Sequence, residues 1–307
     1  MRGNLEVLDG GILTTIQDSG RVGYRKYGVP VSGVMDDHAF KLANWLVGNN
    51  KETPVFEMTL KGGKFEFKTK AVISITGGES ELLINGNPLQ SNKTKIVESG
   101  DILQVGKVKK GIRVYLAIRG KWNIVQQMGS YSTYMPAKFG GLKGRRLQKK
   151  DTISWETDTI EVETKVVPKK ITPYYSTKQR LRIIEGPEWS WLTEKEQEIF
   201  LNQEFDILTK SNRMGIKLEQ SISSESSKRE LKSAPVIPGI IQLPNGGSPI
   251  ILMKDAQLVG GYPRIAKVVD ADLWRLGQVW KGVRISFNKI STTKAIKLSD
   301  YQNNLVY

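Results

Sequence analysis

The sequence predicts a mainly β protein, built as two closed or nearly closed β-barrel domains with a few short helices. Three observations carry this expectation. Short apolar stretches with strand-like alternation recur along the chain, helical periodicity is confined to brief segments, and Gly, Asn, Asp and Pro punctuate the intervals. A row of short strands this long, left as open sheets, would expose unpaired edges, and closure removes them.

The chain enters a strand-like pattern at once and shows no apolar signal-peptide core, so a cytoplasmic location is expected. The first helix is expected after Asp36 or Asp37, either of which can cap it. Phe40, Ala43, Leu46 and Val47 fall on one face, and Gly48-Asn49 ends it. His38 lies in this helix and reads as a helix-surface histidine. Strands are expected at Ala71 to Thr76, Glu81 to Ile84, Asp101 to Val105 and Arg113 to Ile118, with a tight turn at Asn85-Gly86. A second helix is expected near Pro187, where Thr193-x-x-Glu196 has the form of a capping box, and a short third follows Asp270 through Leu273 and Leu276.

With 307 residues, two domains are the natural division. A composition shift at Val166 to Pro173 places the boundary, giving an N-terminal barrel domain over 1–167 and a C-terminal one over 168–307. Ser221 to Lys228 reads as a surface loop. A faint internal echo accompanies the division. Asp18 stands five residues before Gly23 and Asp255 five before Gly260, and each half then carries a short Asp-capped helix.

Composition excludes several chemistries. The chain has no Cys and one His, which removes disulfides, cysteine nucleophiles, Cys-rich zinc sites and a His-rich metal centre; no metal site is expected. Acid–base work falls to Asp, Glu, Lys, Tyr, His38 or a partner. Lys+Arg 46 against Asp+Glu 31 gives a net charge of +15, but the basic residues are scattered and follow no nucleic-acid-binding pattern, so no nucleic acid partner is expected. No apolar run approaches membrane-span length, and no membrane association is expected.

Two glycine-punctuated polar segments stand out, Gln17 to Asp36 and Gly239 to Pro263. Each mixes turn-forming glycines with groups suited to holding a small polar ligand through main chain and side chain together. In the first, Arg21 suits a carboxylate or phosphate and Asp18 can orient it, with Ser32 following; a structural Asp–Arg pair is the alternative, and Asp36 reads as a helix cap. In the second, Gln242, Asp255, Gln257 and Tyr262 suit an amide or carboxylate. Arg213 sits on a further polar turn. Ser130 and Thr133, before Gly140-Gly141, suit an anion, although a surface loop is the simpler reading. That stretch lacks the Gly-Lys-Ser/Thr end of a phosphate-binding loop.

Asp18-x-Gly20-Arg21-x-Gly23, Gly28-Val29-Pro30-x-Ser32-Gly33-x-Met35-Asp36, Ala43-Asn44-x-Leu46-Val47-Gly48-Asn49, Glu57-x-Thr59-Leu60, Gly129-Ser130-x-Ser132-Thr133, Arg213-Met214-Gly215 and Gly260-Gly261-Tyr262-Pro263 together resemble the biotin-dependent carboxyltransferase-like family. That family includes the C component of bacterial 5-oxoprolinase, the sporulation-kinase regulator KipA and an allophanate-hydrolase-type domain of urea carboxylase. The likeness runs from about Leu5 to Phe287. The chain departs from the pattern at Lys121, Asn212 and Gln220.

The resemblance implies cyclophilin-like barrels and a hetero-oligomer with the A and B components of 5-oxoprolinase that opens 5-oxoproline to L-glutamate with ATP hydrolysis. ATP is then the cofactor of the assembled complex, and no biotin is attached to this chain. An unstrained lactam has a poorly electrophilic carbonyl, so phosphorylation of its oxygen makes a leaving group without His or Cys. On this reading Asp18, Arg21 and Asp255 are the catalytic candidates. Ser32, Ser130, Thr133, Arg213, Gln242, Gln257, Gly261 and Tyr262 are the substrate-binding ones. Two alternatives stand beside it: a carboxyltransferase or allophanate-hydrolase-like component acting on urea or a related amide, with biotin supplied by a partner, and a non-catalytic partner of a kinase inhibitor.

Overall fold

The computed structural model describes residues 1–222, 228, 229 and 231–306. Most of the loop expected at 221–228 therefore lies outside the described residues. The chain divides into two compact units. The first comprises Met1–Val22, Ser32–Tyr175 and Val306, and the second comprises Gly23–Val31 and Ser176–Leu305.

The first unit carries β1 (Arg2–Asp9), β2 (Leu13–Gln17), α1 (Asp37–Val47), β3 (Val55–Thr59), β4 (Lys64–Phe67), β5 (Ala71–Ile84), β6 (Asn87–Pro88), β7 (Thr94–Val97), β8 (Ile102–Ile118), β9 (Lys121–Trp122) and β10 (Thr152–Glu156). The strand path runs β2-β3-β8-β4-β1-β10-β9, and β5 pairs with β6, β7 and β8. Asn85-Gly86 turns β5 into β6 with Ile84 opposite Asn87, as its sequence demands.

The long β5–β8 pair shows why this sequence makes a two-sided sheet. Ile73 and Ile75 of β5, with Val114, Leu116 and Ile118 of β8, enter one core beside Phe56, Phe65, Trp122 and Trp155. The alternate residues Val72, Tyr115 and Ala117 face a second core formed with Ala39, Phe40, Ala43 and Val47 of α1. Asp36 caps α1 by accepting from the Ala39 amide at 2.9 Å, and Gly48 ends it in the left-handed conformation. Because α1 is covered on most of its circumference, His38 is buried rather than on the helix surface, with Nε2 2.8 Å from the Ile171 carbonyl.

The sheet is a curled, open half-barrel, where the sequence predicts a closed or nearly closed one. Its β2 edge is met by loop backbone instead of a strand. The Thr133 amide donates to the Ile16 carbonyl at 2.9 Å and the Leu147 amide to the Thr14 carbonyl at 2.8 Å. Edge groups are thereby satisfied without a further strand.

The second unit carries β11 (Lys178–Glu185), α2 (Glu194–Asn202), β12 (Phe205–Asp206), β13 (Gly215–Lys217), β14 (Ala234–Pro235), β15 (Ile240–Gln242), β16 (Ile250–Leu252), β17 (Val259–Gly260), β18 (Arg264–Val268), α3 (Leu273–Leu276), β19 (Arg284–Lys289) and α4 (Thr292–Asn303). A curled sheet runs β12-β19-β11-β18-β15-β16-β13, with β11 and β19 parallel, and β14 pairs separately with β17. An isolated bridge, Ile207 to Leu218, joins the chain just beyond the two end strands.

Phe200 of α2 packs on Phe287 with ring centroids 4.7 Å apart, and Phe205 and Trp189 complete this aromatic cluster. The Thr193–Glu196 capping box forms as the sequence predicts. The helix α4 was not expected, although Ser291 is a plain N-cap signal and accepts from the Lys294 amide. Among the described residues, no helix is long and apolar enough to cross a membrane.

Candidate functional site

In the first unit three turns converge on Asp18, at the end of β2. The Asp18 carboxylate accepts from the Gly20 amide (2.9 Å), the Ser130 hydroxyl (2.7 Å), the Ser132 hydroxyl (2.5 Å) and the Tyr131 amide (2.7 Å). Four donors use the accepting capacity of one carboxylate, so Asp18 fixes the turn at 130–132 onto its own. Arg21 is fully buried. Its guanidinium donates to the Ser132 carbonyl at 2.5 Å and lies 4.7 Å from the centre of the Phe139 ring. The Thr133 hydroxyl donates to the Ile16 carbonyl at 2.9 Å.

Ser130, Ser132 and Thr133 are buried, which corrects the surface-loop reading of this stretch. The glycines of the following turn explain how it packs so closely. A Cβ on Gly141, which has φ +51°, would stand 2.0 Å from the Thr133 hydroxyl oxygen.

Ser32 closes this cluster in an unusual state. Its φ is +56°, its side chain is buried, and its hydroxyl has no hydrogen-bond partner among the described residues. A non-glycine residue in the left-handed region costs about 1–2 kcal/mol. The residues that follow are held firmly enough to sustain it. The Val34 amide donates to the Asp18 carbonyl (2.9 Å), the Met35 amide to Glu57 Oε2 (2.7 Å) and the Asp36 amide to the Tyr115 hydroxyl oxygen (2.9 Å).

That network contains residues the sequence reading passed over as chemistry. Tyr115 donates to Glu57 Oε2 at 2.9 Å, Tyr175 donates to Asp36 Oδ2 at 2.9 Å, and Arg113 Nε stands 3.6 Å from Glu57 Oε1. Burial, and then the Glu57 and Asp36 carboxylates, push the Tyr115 hydroxyl well above the ordinary tyrosine range, so it stays a proton donor. The available signal was Glu57 itself, an ionisable residue inside a strand whose every residue is buried.

A cavity of about 420 Å³ in the same unit is lined by Asn49, Arg119, Lys121, Trp122 and Tyr131, and by none of the predicted site residues. Arg119 donates there to the Val47 carbonyl at 2.9 Å, a structural cap on the end of α1.

In the second unit, Arg213 and Asp255 form a buried two-point pair, Nε to Oδ2 at 2.7 Å and Nη2 to Oδ1 at 3.1 Å. The Asp255 amide also donates to the Arg213 carbonyl at 2.9 Å. Two residues on, the exposed Gln257 donates its side-chain amide to Gln242 Oε1 at 3.2 Å. Gln242 lies at the end of β15, where the register with β18 shifts between Ile241 and Gln242. Gly260 lies beside its amide, Gly261 accepts from the Leu231 amide at 3.0 Å, and Tyr262 is exposed.

The echo between the two halves thus covers different work. Asp18 gathers neutral hydroxyl and amide donors, whereas Asp255 neutralises a guanidinium. Of the sequence departures, Gln220 takes a structural role, accepting from the Asp206 amide at 2.6 Å and donating to its carboxylate at 2.8 Å.

A family profile described as carboxyltransferase domain, subdomain A and B, matches residues 27–289. The chain is 34% identical over 301 residues to the C component of 5-oxoprolinase from Escherichia coli, covering 95% of this chain and 93% of that one. It is 33% identical over 317 residues to urea amidolyase of Saccharomyces cerevisiae, covering 97% of this chain but only 17% of that protein. Among solved structures it superposes on the urea carboxylase of Kluyveromyces lactis with a TM-score of 0.93 and 33% identity, over 99% of this chain and 29% of that one. A fold of two curled β units, the converging turns at Asp18 and these matches across nearly the whole sequence lead to one conclusion: the chain belongs to the carboxyltransferase domain family, subdomains A and B.

Proposed function

We propose that this chain handles a small amide as one component of an ATP-using assembly, in the manner of a carboxyltransferase or allophanate-hydrolase-like protein directed at urea or a related amide. The observation that carries this reading is the superposition with the Kluyveromyces lactis urea carboxylase over 99% of the chain. Biotin, in that reaction class, serves as the mobile carrier of a carboxyl group and would be held on a partner. Asp18, Arg21 and Asp255 are the catalytic candidates. Arg21 balances anionic charge, Arg213 holds Asp255 in place, and Gln242, Gln257 and Tyr262 hold the amide.

A second reading is favoured by length. The chain and the C component of 5-oxoprolinase from Escherichia coli cover one another almost completely. On that reading it would work with the A and B components to open 5-oxoproline to L-glutamate. ATP there activates the lactam oxygen. At the Gly140-Gly141 turn the packing of Gly141 against Thr133 does not fit a nucleotide phosphate.

The test is ATP hydrolysis by the assembly purified with its native partners, measured with urea, with 5-oxoproline and with no amide, each with and without avidin. Stimulation by urea that avidin abolishes supports the first reading. Avidin-resistant stimulation by 5-oxoproline alone supports the second. An assembly that forms but ignores both amides removes the enzymatic readings and leaves a regulatory partner. Asp255→Asn or Arg21→Gln with undiminished turnover would remove the assigned roles.

A further inference from the structure

We infer that Gln242 and Gln257 form the amide-reading subsite of this protein, a donor–acceptor pair that selects a carboxamide or urea group over a carboxylate. The inference rests on the reading that the substrate is a small amide, and it assigns the residues that recognise it.

Gln242 is 1% exposed and its Nε2 has no hydrogen-bond partner among the described residues. A buried amide donor left unmade is costly, and native proteins keep few of them. The side chain is nevertheless held in place. Gln242 stays paired with Ile250 of β16 and, beyond the register shift at the end of β15, with Arg264 of β18, and its Oε1 accepts from Gln257 at a long 3.2 Å. Opposite Nε2 the chain carries Gly260, where a Cβ would stand 2.6 Å from that nitrogen. Any other residue at 260 would push the amide away, so the glycine preserves the place of an otherwise unused donor.

Gln257 is exposed, which gives the pair one side at the surface. Together the two side chains offer N–H groups from Gln242 and a carbonyl oxygen from Gln257. Reversing both amides exchanges these roles and keeps one donor and one acceptor. An amide group presents the complementary set, a carbonyl oxygen beside N–H. A carboxylate presents acceptors alone and leaves the glutamine carbonyl unmatched. A substrate amide entering here exchanges one long hydrogen bond for two, and satisfies the buried nitrogen.

The direct test uses the intact chain and propionamide against propionate, followed by the side-chain NH₂ resonances of Gln242 and Gln257 in a ¹⁵N-labelled sample. Each resonance is assigned by its disappearance in Gln242→Leu or Gln257→Leu. We expect propionamide to shift both pairs and propionate to shift neither. Gln257→Leu, at an exposed position, should weaken propionamide binding about two- to tenfold, as expected for one lost hydrogen bond. In the assembly it should raise KM for the amide substrate by a similar factor with kcat little changed. Equal shifts with both probes, or an unchanged KM in Gln257→Leu, would overturn the subsite. Propionamide binding at these residues in an assembly that turns over no amide would instead refute the proposed function and leave the subsite standing.

Discussion

Replacing Asp255 by Ala would leave Arg213 charged and buried without its carboxylate. The pair is joined at two points, 2.7 and 3.1 Å, and the side chains are 10% and 6% exposed, so solvent offers the guanidinium little compensation. Removing one partner of such a pair typically costs about 3–5 kcal/mol, because the remaining charge stays desolvated. At roughly 2–4 °C per kcal/mol for a chain of this size, the melting temperature should fall by roughly 6–20 °C. The double variant Arg213→Met, Asp255→Leu removes both charges and should recover most of that loss, since apolar replacement of a whole buried pair is often close to neutral. Circular dichroism melts and guanidinium titrations of the parent, Arg213→Met, Asp255→Leu and the double variant give the coupling energy directly. A single variant as stable as the parent, or a double variant no better than the worse single one, would refute the argument. A stable double variant that abolishes activity of the assembly would separate the pair's chemical role from its structural one.

Three further outcomes follow from the first unit and the ion pairs. Tyr115→Phe removes the hydroxyl that joins Glu57 to the Asp36 amide, and should cost about 1–3 kcal/mol in chemical denaturation by leaving the buried Asp36 amide without that acceptor, while Glu57 keeps the Met35 amide. Because the Tyr115 hydroxyl is held above the ordinary range, the parent should also lose stability as pH rises past about 10, the unfolded tyrosine value, and Tyr115→Phe should lose less. Gly141→Ala meets both a positive φ and the Thr133 hydroxyl, and should lower the melting temperature more than an exposed glycine-to-alanine change such as Gly246→Ala, where no atom lies within 4 Å. Burial opposes ionisation of Asp151 and Glu188, yet Arg145 and Arg264 hold both below the usual carboxylate range. A depressed folded pKa stabilises above the unfolded value and is lost as pH falls through the folded one. Arg264→Gln should therefore flatten the acid limb of a stability–pH profile, and an unchanged limb would contradict the assignment.

The parts of this fold that were legible in the sequence are those decided locally. Asp36 and Gly48 bound α1, Thr193 and Glu196 cap α2, and Asn85-Gly86 turns β5 into β6, each by interactions within a few residues. Where long-range packing decides, the sequence was silent or misleading. His38 is buried because α1 is covered beyond its apolar stripe, and the 130–133 stretch is interior because Asp18, more than a hundred residues earlier, draws its hydroxyls inward. The first sheet, expected to be closed or nearly closed, curls only to a half-barrel because edge protection has a second solution, loop backbone laid along β2. Candidate residues emerged from their company in glycine-rich turns. Their roles did not, since whether an aspartate meets hydroxyls or a guanidinium depends on tertiary partners.

The loop along β2 ties two properties together that are usually separable. The same backbone that shields this strand from pairing with a neighbouring molecule also supplies Ser130, Ser132 and Thr133 to the polar cluster. Evolution cannot loosen that cluster to admit a different ligand without baring a template for self-association. Variants at Asp18 or Ser132 should accordingly betray themselves first as insoluble protein, before any change in chemistry can be measured.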